Sequence, residues 1–502
     1  MKSRKSVRAT AGILLCGLGF WLALPTPVHE KNYIINAGGC QMQTTVVEQL
    51  KVGSEGAVVL FHGISANRKI MSYLARGFAQ QGLRVYVPDL PGHGRTAGPF
   101  SPERVEQCGE AILRELLARG EANSDRTVLA GHSMGGAIAL RVASRVPVAG
   151  VIAISPAPMR AAHGVSAENL LFNDAPALPA HTLVLSGSLE PESMRGNAAD
   201  LIGISKDDSA KYLEIPRETH VSLIFSRAAM RASQEWAAQI LHLSPSSALP
   251  SHRSLFGALA GFLGLLLISG PFLHEVTGKH RKKEDAETDG AVGLSRMLVE
   301  IASGSILVVV LLRFWNPLRA LHLFQGDYLA SFLLLLGVAL VFRHWDSLRP
   351  NFSGTHGGLL PAAFAAMVLL LMFTAWLDLS FYEAWLTAAK WARLPFLLIA
   401  VLPYHLAEER LLGPIQAGKK GRRLAIALSL RLISWAALLG SVYFLHSGEI
   451  LMGLLAPYMA LFNILQRSGM DIVREETRSA GATALFGAIL LAGFCVVIFP
   501  LT

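Results

Sequence analysis

The distribution of apolar residues divides the chain into two parts of different character. Between residues 56 and 243, short apolar runs alternate with helix-length amphipathic stretches, whereas nearly everything after Leu255 consists of long apolar runs. The first pattern is typical of βα units around a mostly parallel sheet. The second is typical of helices that cross a bilayer. The pattern therefore predicts an α/β domain followed by an all-α transmembrane bundle.

Six β-strands are predicted in the first part, separated by amphipathic helices. The strands are GAVVLFHG, LRVYVPDL, RTVLAGHS, VAGVIAISP, HTLVLSGS and AKYLEIPRE. In a parallel sheet of this kind, ligands bind at the carboxyl ends of the strands. We therefore expect the functional residues in the segments that directly follow these strands.

One N-terminal segment and eight later ones are predicted to cross the membrane. Basic residues precede the first apolar run, and no convincing cleavage site follows it, which favours a retained anchor. The later segments lie near residues 255–273, 297–314, 328–342, 359–379, 388–404, 424–445, 450–466 and 482–500. The predicted organisation is an anchor in residues 1–26, an α/β domain in 27–253 and a bundle of about eight helices in 254–502.

The positions of the charges predict how these segments are oriented. With 52% hydrophobic and 16% charged residues, the chain is neither wholly soluble nor disordered, and its formal net charge is +9. If the N-terminus is cytoplasmic, the cytoplasmic loops hold 19 Lys and Arg and the outer loops hold four. The positive-inside rule then places the α/β domain outside the cytoplasm. This excess in the cytoplasmic loops accounts for the net charge without a nucleic-acid partner, and membrane lipids are an expected partner.

Cysteines add one open question. Cys16 and Cys495 lie in apolar segments, while Cys40 and Cys108 lie in the α/β domain. At most one disulfide can therefore form in that domain, and the sequence leaves open whether it does.

The sharpest motif is GHSMGG, residues 131–136, where a predicted strand ends and a helix begins. A nucleophilic serine is often carried on such a tight strand-to-helix turn, which strains the backbone and requires small neighbouring residues. The pattern predicts Ser133 as the nucleophile.

A second motif, FHGISANR at residues 61–68, also follows a strand. Acyl transfer develops negative charge on the carbonyl oxygen, and backbone N–H groups aimed at that oxygen stabilise it. We assign the N–H groups of Ile64 and Met134 to this oxyanion hole. The alternative interpretation is that His62 and Gly63 simply end a strand.

These motifs resemble the α/β-hydrolase superfamily, particularly its monoacylglycerol lipase, lysophospholipase and serine aminopeptidase-like branch. The resemblance covers about residues 50–243 and depends on FHGISANR, RGFAQQGLRVYVPDLPGHGRTAG and AGHSMGGAIAL in that order. It implies a serine nucleophile, then an acid and then a histidine, each after its own strand.

The base and the acid are sought downstream of Ser133. His220 follows a predicted strand, whereas His242 ends a helix and His252 lies beside the membrane, so His220 is the predicted base. Glu190 follows the strand HTLVLSGS at the position where the resembling family usually carries Asp. Glu190 is the predicted acid, with Glu192 and Asp174 as the alternatives.

No metal or organic cofactor is predicted. The loop DLPGHG, residues 89–94, contains Asp89 and His93, but it lacks the Lys-Ser/Thr ending of a phosphate loop and a second cluster with metal-ligand spacing. In the resembling family this loop borders the site and is structural.

The transmembrane part holds ionisable residues that are costly in a bilayer and therefore functional candidates. They are Glu300, Lys390, His405, Glu408, Glu409 and Arg431. The stretch HLAEERLLG, with Asn463 in a later segment, resembles the intramembrane CAAX-protease-like family, although Gly413 stands where that family carries Arg. Charges at membrane margins or paired inside the bundle are the simpler interpretation.

The sequence thus predicts a membrane-anchored serine hydrolase that acts outside the cytoplasm on a carboxylic ester or a small amide. Only some two dozen residues separate the fourth and fifth predicted strands, so the site is expected to be lightly covered and to accept a small-molecule or lipid substrate. Two alternatives remain: a transporter-like or scaffold membrane protein with a non-catalytic ligand-binding domain, and an intramembrane protease centred on Glu408 and Glu409. The oligomeric state is left open.

Overall fold

A computed structural model shows how the chain folds. It describes residues 2–24, 28–49, 54–203, 209–244, 248–278, 293–344, 356–413, 415, 420–449 and 451–502. The predicted cytoplasmic loop at 279–292, Arg349 and the junction at 25–27 lie outside the described residues.

The chain forms two compact units. The sheet unit comprises Trp21–Ala258, Leu377–Ala384 and Pro500–Thr502. The helical unit comprises Met1–Phe20, Leu259–Trp376 and Trp385–Phe499. The sheet unit therefore includes two short segments that lie far along the chain, after most of the long apolar helices.

Eight strands build the sheet unit. They are β1 Val28–Ala37, β2 Cys40–Gln49, β3 Ala57–Phe61, β4 Arg84–Pro88, β5 Thr127–His132, β6 Gly150–Ile154, β7 Thr182–Gly187 and β8 Lys211–Ile215. They form one sheet in the order β1-β2-β4-β3-β5-β6-β7-β8. Strands β3 to β8 pair in parallel, while β1 and β2 pair antiparallel with each other and β2 pairs antiparallel with β4. The predicted α/β-hydrolase fold class, with a mostly parallel sheet, is confirmed.

Among the described residues of this unit there are five α-helices, and local sequence explains where two of them begin. They are α2 Ser72–Gln80, α3 Pro102–Ala118, α4 Met134–Ala143, α5 Glu192–Gly203 and α6 Arg227–Leu241. Ser101 caps α3 by accepting a hydrogen bond from the Arg104 N–H, and Pro102 occupies the first turn, where no N–H partner is needed. Ser226 caps α6 in the same way.

The centre of the sheet is apolar on both faces. Every residue of β3, β5 and β6 is buried, as expected for parallel strands covered by helices on two sides. Val58, Leu60 and Val128 pack there with Phe78 of α2 and Trp236 of α6. This rigid centre carries the loops in which the candidate site lies.

The antiparallel hairpin of β1 and β2 was not predicted from the sequence. Its strands meet at Gly38 and Gly39, both with positive φ, which glycine adopts without steric cost. A disulfide joins Cys40 at the start of β2 to Cys108 in α3, which answers the question that the cysteine count left open.

The helical unit is built from long apolar helices. Besides α1 Lys2–Ala23, they are α7 Arg253–Gly278, α8 Leu294–Leu312, α9 Gly326–Arg343, α10 His356–Ser380, α11 Ala388–Leu412, α12 Lys420–Phe444, α13 Leu451–Thr477 and α14 Ala480–Ile498. A helix thus overlaps each of the nine segments predicted to cross the membrane. Within the described residues, seven of them are long and apolar enough to span a bilayer; α11 and α13 are not among these. Seven such helices are compatible with a multi-pass membrane protein.

Candidate active site

Ser133 stands on a strained turn between β5 and α4. Its backbone has φ 54° and ψ −119°, a conformation that is unfavourable for a residue with a side chain. A Cβ on Gly131 would lie 2.2 Å from the Gly135 carbonyl oxygen, and one on Gly135 would lie 2.3 Å from the Phe61 carbonyl oxygen. The turn can therefore form only with glycine at these two positions, as the GHSMGG motif predicts.

Two backbone N–H groups beside this turn have no hydrogen-bond partner among the described residues. They belong to Ile64, in the loop after β3, and to Met134, the first residue of α4. Met134 is fully buried, and a buried N–H without a partner is rare in folded proteins. A Cβ on Gly63 would lie 3.2 Å from the Ser133 Cβ, so the loop carrying Ile64 is close to the serine. The two N–H groups are available to an anionic oxygen.

His220 and Glu190 are in direct contact. The distance from His220 Nδ1 to Glu190 Oε1 is 2.8 Å, and the Glu190 side chain is completely buried. The Gly187 N–H donates to Glu190 Oε2 at 3.0 Å, so the carboxylate is fixed at the end of β7. Glu190 therefore accepts the Nδ1 proton, which leaves Nε2 unprotonated in neutral His220. These are the two residues that the sequence analysis assigned as acid and base.

Ser155 joins this pair and was missed by the sequence analysis. It follows β6 with φ 43°, its hydroxyl donates to Glu190 Oε1, and its Oγ lies 2.8 Å from His220 Nδ1. The sequence feature that could have identified Ser155 is its position directly after the apolar run VAGVIAI, at the same edge of the sheet as the other motifs. Its hydroxyl holds the carboxylate that orients His220.

Ser133 and His220 are not hydrogen-bonded to each other in the described structure. The residue before Ser133 nevertheless contacts His220, because His132 Nε2 lies 2.8 Å from the His220 carbonyl oxygen and the centroids of the two imidazole rings are 4.7 Å apart. Burial and the nearby His220 lower the pKa of His132 to about 3, so His132 stays neutral and donates to that carbonyl. Catalytic hydrogen bonds are often long without substrate and shorten when it binds.

The loop of residues 62–68, hereafter the 62–68 loop, is held by the DLPGHG segment. His62 Nε2 accepts the Leu90 N–H at 2.9 Å, and Asp89 Oδ1 accepts the Arg68 N–H at 2.8 Å. The Arg68 guanidinium also binds Asp89 at 2.7 Å, with both side chains buried. Because Asp89 is bound in this way, it supports the loop that contains Ile64.

The alternative acids, Glu192 and Asp174, and the other downstream histidines contact other residues. Glu192 pairs with Arg195, and Asp174, which is largely exposed, pairs with Arg141. His242 caps the end of α6, while His252 bonds to the Phe225 carbonyl. None of these side chains contacts Glu190 or His220 among the described residues.

The buried charges of the helical unit bind one another. Glu408 and Arg431 form two contacts of 2.7 and 2.8 Å, and Glu409 binds Arg467 and Arg423. Glu300, another residue singled out from the sequence, pairs with Arg296 and His344. Lys390 Nζ donates to the Val497 carbonyl, and His405 lies 3.7 Å from Glu408. These pairings agree with the interpretation that the charges stabilise the helical bundle.

Comparisons with known proteins concern the same part of the chain. The family model described as alpha/beta hydrolase family matches residues 58–279. This segment of the chain belongs to the alpha/beta hydrolase family. The match includes the Ser133 turn, the 62–68 loop and the strands that carry Glu190 and His220.

The relatives include esterases from bacteria. Esterase YjfP of Escherichia coli is 33% identical over 100 residues, which are 18% of this chain and 40% of that protein. The pimeloyl-[acyl-carrier protein] methyl ester esterase of Aromatoleum aromaticum is 37% identical over 103 residues, which are 20% and 37% of the two chains. Among solved structures, a predicted CIB-like hydrolase from Thermoplasma acidophilum is 19% identical, with a TM-score of 0.34, and covers 43% of this chain and all of that one. The chain thus spans less than half the length of these two esterases.

Proposed function

We propose that the protein is a membrane-anchored serine hydrolase that cleaves, or transfers, the acyl group of a carboxylic ester. The observation that carries the proposal is the contact between Glu190 and His220 beside the strained Ser133 turn, where two N–H groups find no partner in the described part of the chain. A buried carboxylate that orients a histidine next to a nucleophile is the arrangement that activates a hydroxyl. The esterases among the relatives support an ester as the substrate.

In the proposed reaction, Ser133 Oγ attacks the ester carbonyl carbon while His220 Nε2 takes the hydroxyl proton. The carbonyl oxygen becomes negatively charged and accepts hydrogen bonds from the N–H groups of Ile64 and Met134. His220 then gives its proton to the departing alcohol, leaving an acyl group on Ser133. Water, or another alcohol, attacks this acyl-enzyme through the same steps and frees the serine. Glu190 stabilises the imidazolium that forms twice in the cycle.

The sheet unit is proposed to face the extracytoplasmic side of the cell membrane. The excess of Lys and Arg in the predicted cytoplasmic loops favours this orientation. The disulfide between Cys40 and Cys108 supports it independently, because such bonds persist in oxidising compartments and are rare in the cytosol. Alkylation of whole cells before reduction, followed by mass spectrometry, tests whether the bond exists in the cell.

A lipid-like ester is the proposed substrate class. The segment between β6 and β7 contains only one short 3-10 turn, Ala167–Asn169, so no long helical lid covers this edge of the sheet in the described chain. Predicted crossings lie on both sides of the sheet unit in the sequence, which would hold the site near acyl chains at the membrane surface. Hydrolysis of detergent-soluble esters together with refusal of every membrane lipid offered would contradict this choice.

A serine-directed fluorophosphonate probe tests the proposed chemistry. Membranes containing the wild-type protein should take up one label, and the label should be lost in Ser133→Ala and strongly reduced in His220→Ala. Ser144→Ala is the matched control, because Ser144 is an exposed serine at the end of α4 and should leave labelling intact. A folded wild-type protein that takes up no label, or a Ser133→Ala variant that still does, would overturn the proposal.

A further inference from the structure

Segment 377–384 makes a group of polar contacts that the proposed reaction does not yet use. It lies in the sequence at the end of α10 and in the loop before α11, yet it belongs to the sheet unit. Glu383 Oε1 accepts from Arg68 Nη2 at 3.0 Å and from Arg95 Nε at 2.7 Å. The Glu383 side chain is completely buried, and that of Arg68 is 4% exposed.

A second residue of the same segment reaches the middle of the 62–68 loop. The Tyr382 hydroxyl donates to the Ser65 carbonyl oxygen at 2.7 Å. Ser65 has φ 54°, so its peptide is held in a conformation that an isolated chain avoids. Ser65 directly follows Ile64, whose N–H is one of the two donors of the proposed oxyanion hole. The Tyr382 contact therefore acts one residue from the proposed donor.

Asp378 strengthens the attachment of the segment. It pairs with Lys69 at 3.3 Å and with Arg95 at 2.9 Å, both at the border of the two loops already described. Asp378, Tyr382 and Glu383 thus all bind these two loops or the residues that directly follow them. Those following residues are Lys69, after the 62–68 loop, and Arg95, after the DLPGHG loop. Each loop is also tied to the other through Arg68 and Asp89.

We propose that Glu383 and Tyr382 are positioning residues that fix the 62–68 loop so that the Ile64 N–H points at the developing oxyanion. The inference rests on the proposed function, because it assigns a role within that site. A donor that is displaced by about 1 Å loses much of its contribution in the transition state while ground-state binding changes little. Neither residue touches substrate in this scheme; both act through the loop.

The test compares turnover per active site in the full-length, membrane-embedded protein. Glu383→Ala should lower kcat by 10- to 100-fold and leave KM within about threefold, because the oxyanion contact forms only in the transition state. Tyr382→Phe, which removes one hydroxyl, should lower kcat by about three- to tenfold. Active sites are counted by fluorophosphonate labelling at saturation, so that loss of folded protein does not enter kcat.

Glu106→Ala is the matched control. Glu106 is also a buried carboxylate that binds two arginines, Arg141 and Arg145, but it lies in α3 and makes no contact with the 62–68 loop among the described residues. Its removal should lower the yield or the melting temperature and leave kcat per labelled site unchanged. A kcat that falls equally in Glu106→Ala and Glu383→Ala would mean a general effect of lost ion pairs and would overturn the inference.

The remaining outcomes separate this inference from the proposed function. If the wild type hydrolyses esters and both Glu383→Ala and Tyr382→Phe turn over at the wild-type rate per labelled site, the inference fails and the serine hydrolase stands. If Glu383→Ala does not fold, Tyr382→Phe alone decides. If the wild type takes up no label, the proposed function fails and this inference fails with it.

Discussion

Two buried polar clusters in this chain differ in which groups are left unpaired. In the helical unit, Glu408 and Glu409 are each bound by arginine side chains, while His405 Nδ1 and Arg467 Nε have no hydrogen-bond partner among the described residues. At the Ser133 turn, by contrast, the N–H groups of Ile64 and Met134 have no partner among the described residues, and the serine hydroxyl has none either. Burying an unsatisfied polar group costs free energy, so a fold retains one mainly where a ligand supplies the partner. What distinguishes the Ser133 turn is that its unpaired N–H groups lie beside a hydroxyl that can act as a nucleophile, which is why the proposed chemistry is assigned to the sheet unit.

Removing the Ser133 hydroxyl should have the largest effect on activity. Ser133→Ala should lower kcat/KM for ester hydrolysis by at least about 10⁴-fold, because no other group in the proposed mechanism forms the acyl-enzyme. Initial rates on a p-nitrophenyl ester measure this loss, with Ser144→Ala as the control. Retention of more than a tenth of the wild-type rate would contradict the contrast drawn between the two clusters.

Breaking the helical cluster should affect stability and leave chemistry unchanged. Glu408→Ala leaves the Arg431 guanidinium buried without its bidentate partner, and such a loss costs about 3–5 kcal/mol of unfolding free energy. The melting temperature in detergent should fall, while kcat per fluorophosphonate-labelled site stays at the wild-type value. A folded Glu408→Ala protein without hydrolase activity would instead favour the intramembrane-protease alternative.

Removing the Ser155 hydroxyl should have a smaller effect, because it deprives the Glu190 carboxylate of one donor. Ser155→Ala should lower kcat about tenfold with little change in KM, since a hydrogen bond to a charged group contributes about 1.5–3 kcal/mol. Ser155→Gly provides the control for backbone strain, because glycine adopts the φ of 43° freely. Equal losses in both variants assign the effect to the hydroxyl; recovery in Ser155→Gly would assign it to strain.

A further expected effect is a pH dependence of stability that comes from Glu383. Burial and the nearby Asp89 carboxylate raise the pKa of Glu383 to about 8, although Arg68 and Lys69 act in the opposite direction. Because the folded-state pKa lies above the ordinary value of 4.5, the protonated group stabilises the fold fully below about pH 4.5, and this contribution is lost as the pH rises through about 8.

Glu383→Gln isolates this titration, because glutamine keeps the shape and cannot ionise. Between about pH 4.5 and pH 8 the free energy of unfolding of the wild type should fall relative to that of Glu383→Gln, by at most about 1.4 kcal/mol per pH unit. Arg95 also faces Glu383, so the comparison is made at constant ionic strength. Parallel melting curves across this range would contradict the raised pKa.

The sequence predicted the parts of the molecule that depend on local pattern. All six predicted strands are present, because buried β-branched runs bounded by turn residues are a local signal. The Ser133 turn was equally predictable from the sequence, since the backbone of the turn itself requires its glycines. Glu190 and His220 were singled out because each lies a few residues after a strand, β7 ending at Gly187 and β8 at Ile215. Their catalytic roles stay predictions that the variants above test.

Other features could not be predicted because they depend on distant parts of the chain. The β1–β2 hairpin has a mostly exposed first strand, so its sequence lacks the apolar alternation that marks a half-buried strand. The contact between Arg68 and Glu383 joins residues that are 315 positions apart. The sequence offered Glu383 only as one acidic residue in a loop between two apolar segments. Tertiary packing, and not spacing, places it beside Asp89.

The position of segment 377–384 in the sequence also has a consequence for biogenesis. The ribosome makes residues 21–258 well before it makes Glu383, with several apolar helices in between. The sheet unit therefore lacks its contacts with segment 377–384 until the helices that precede this segment have been made. Under the proposed function, a newly made chain would reach full turnover only at that late stage of synthesis.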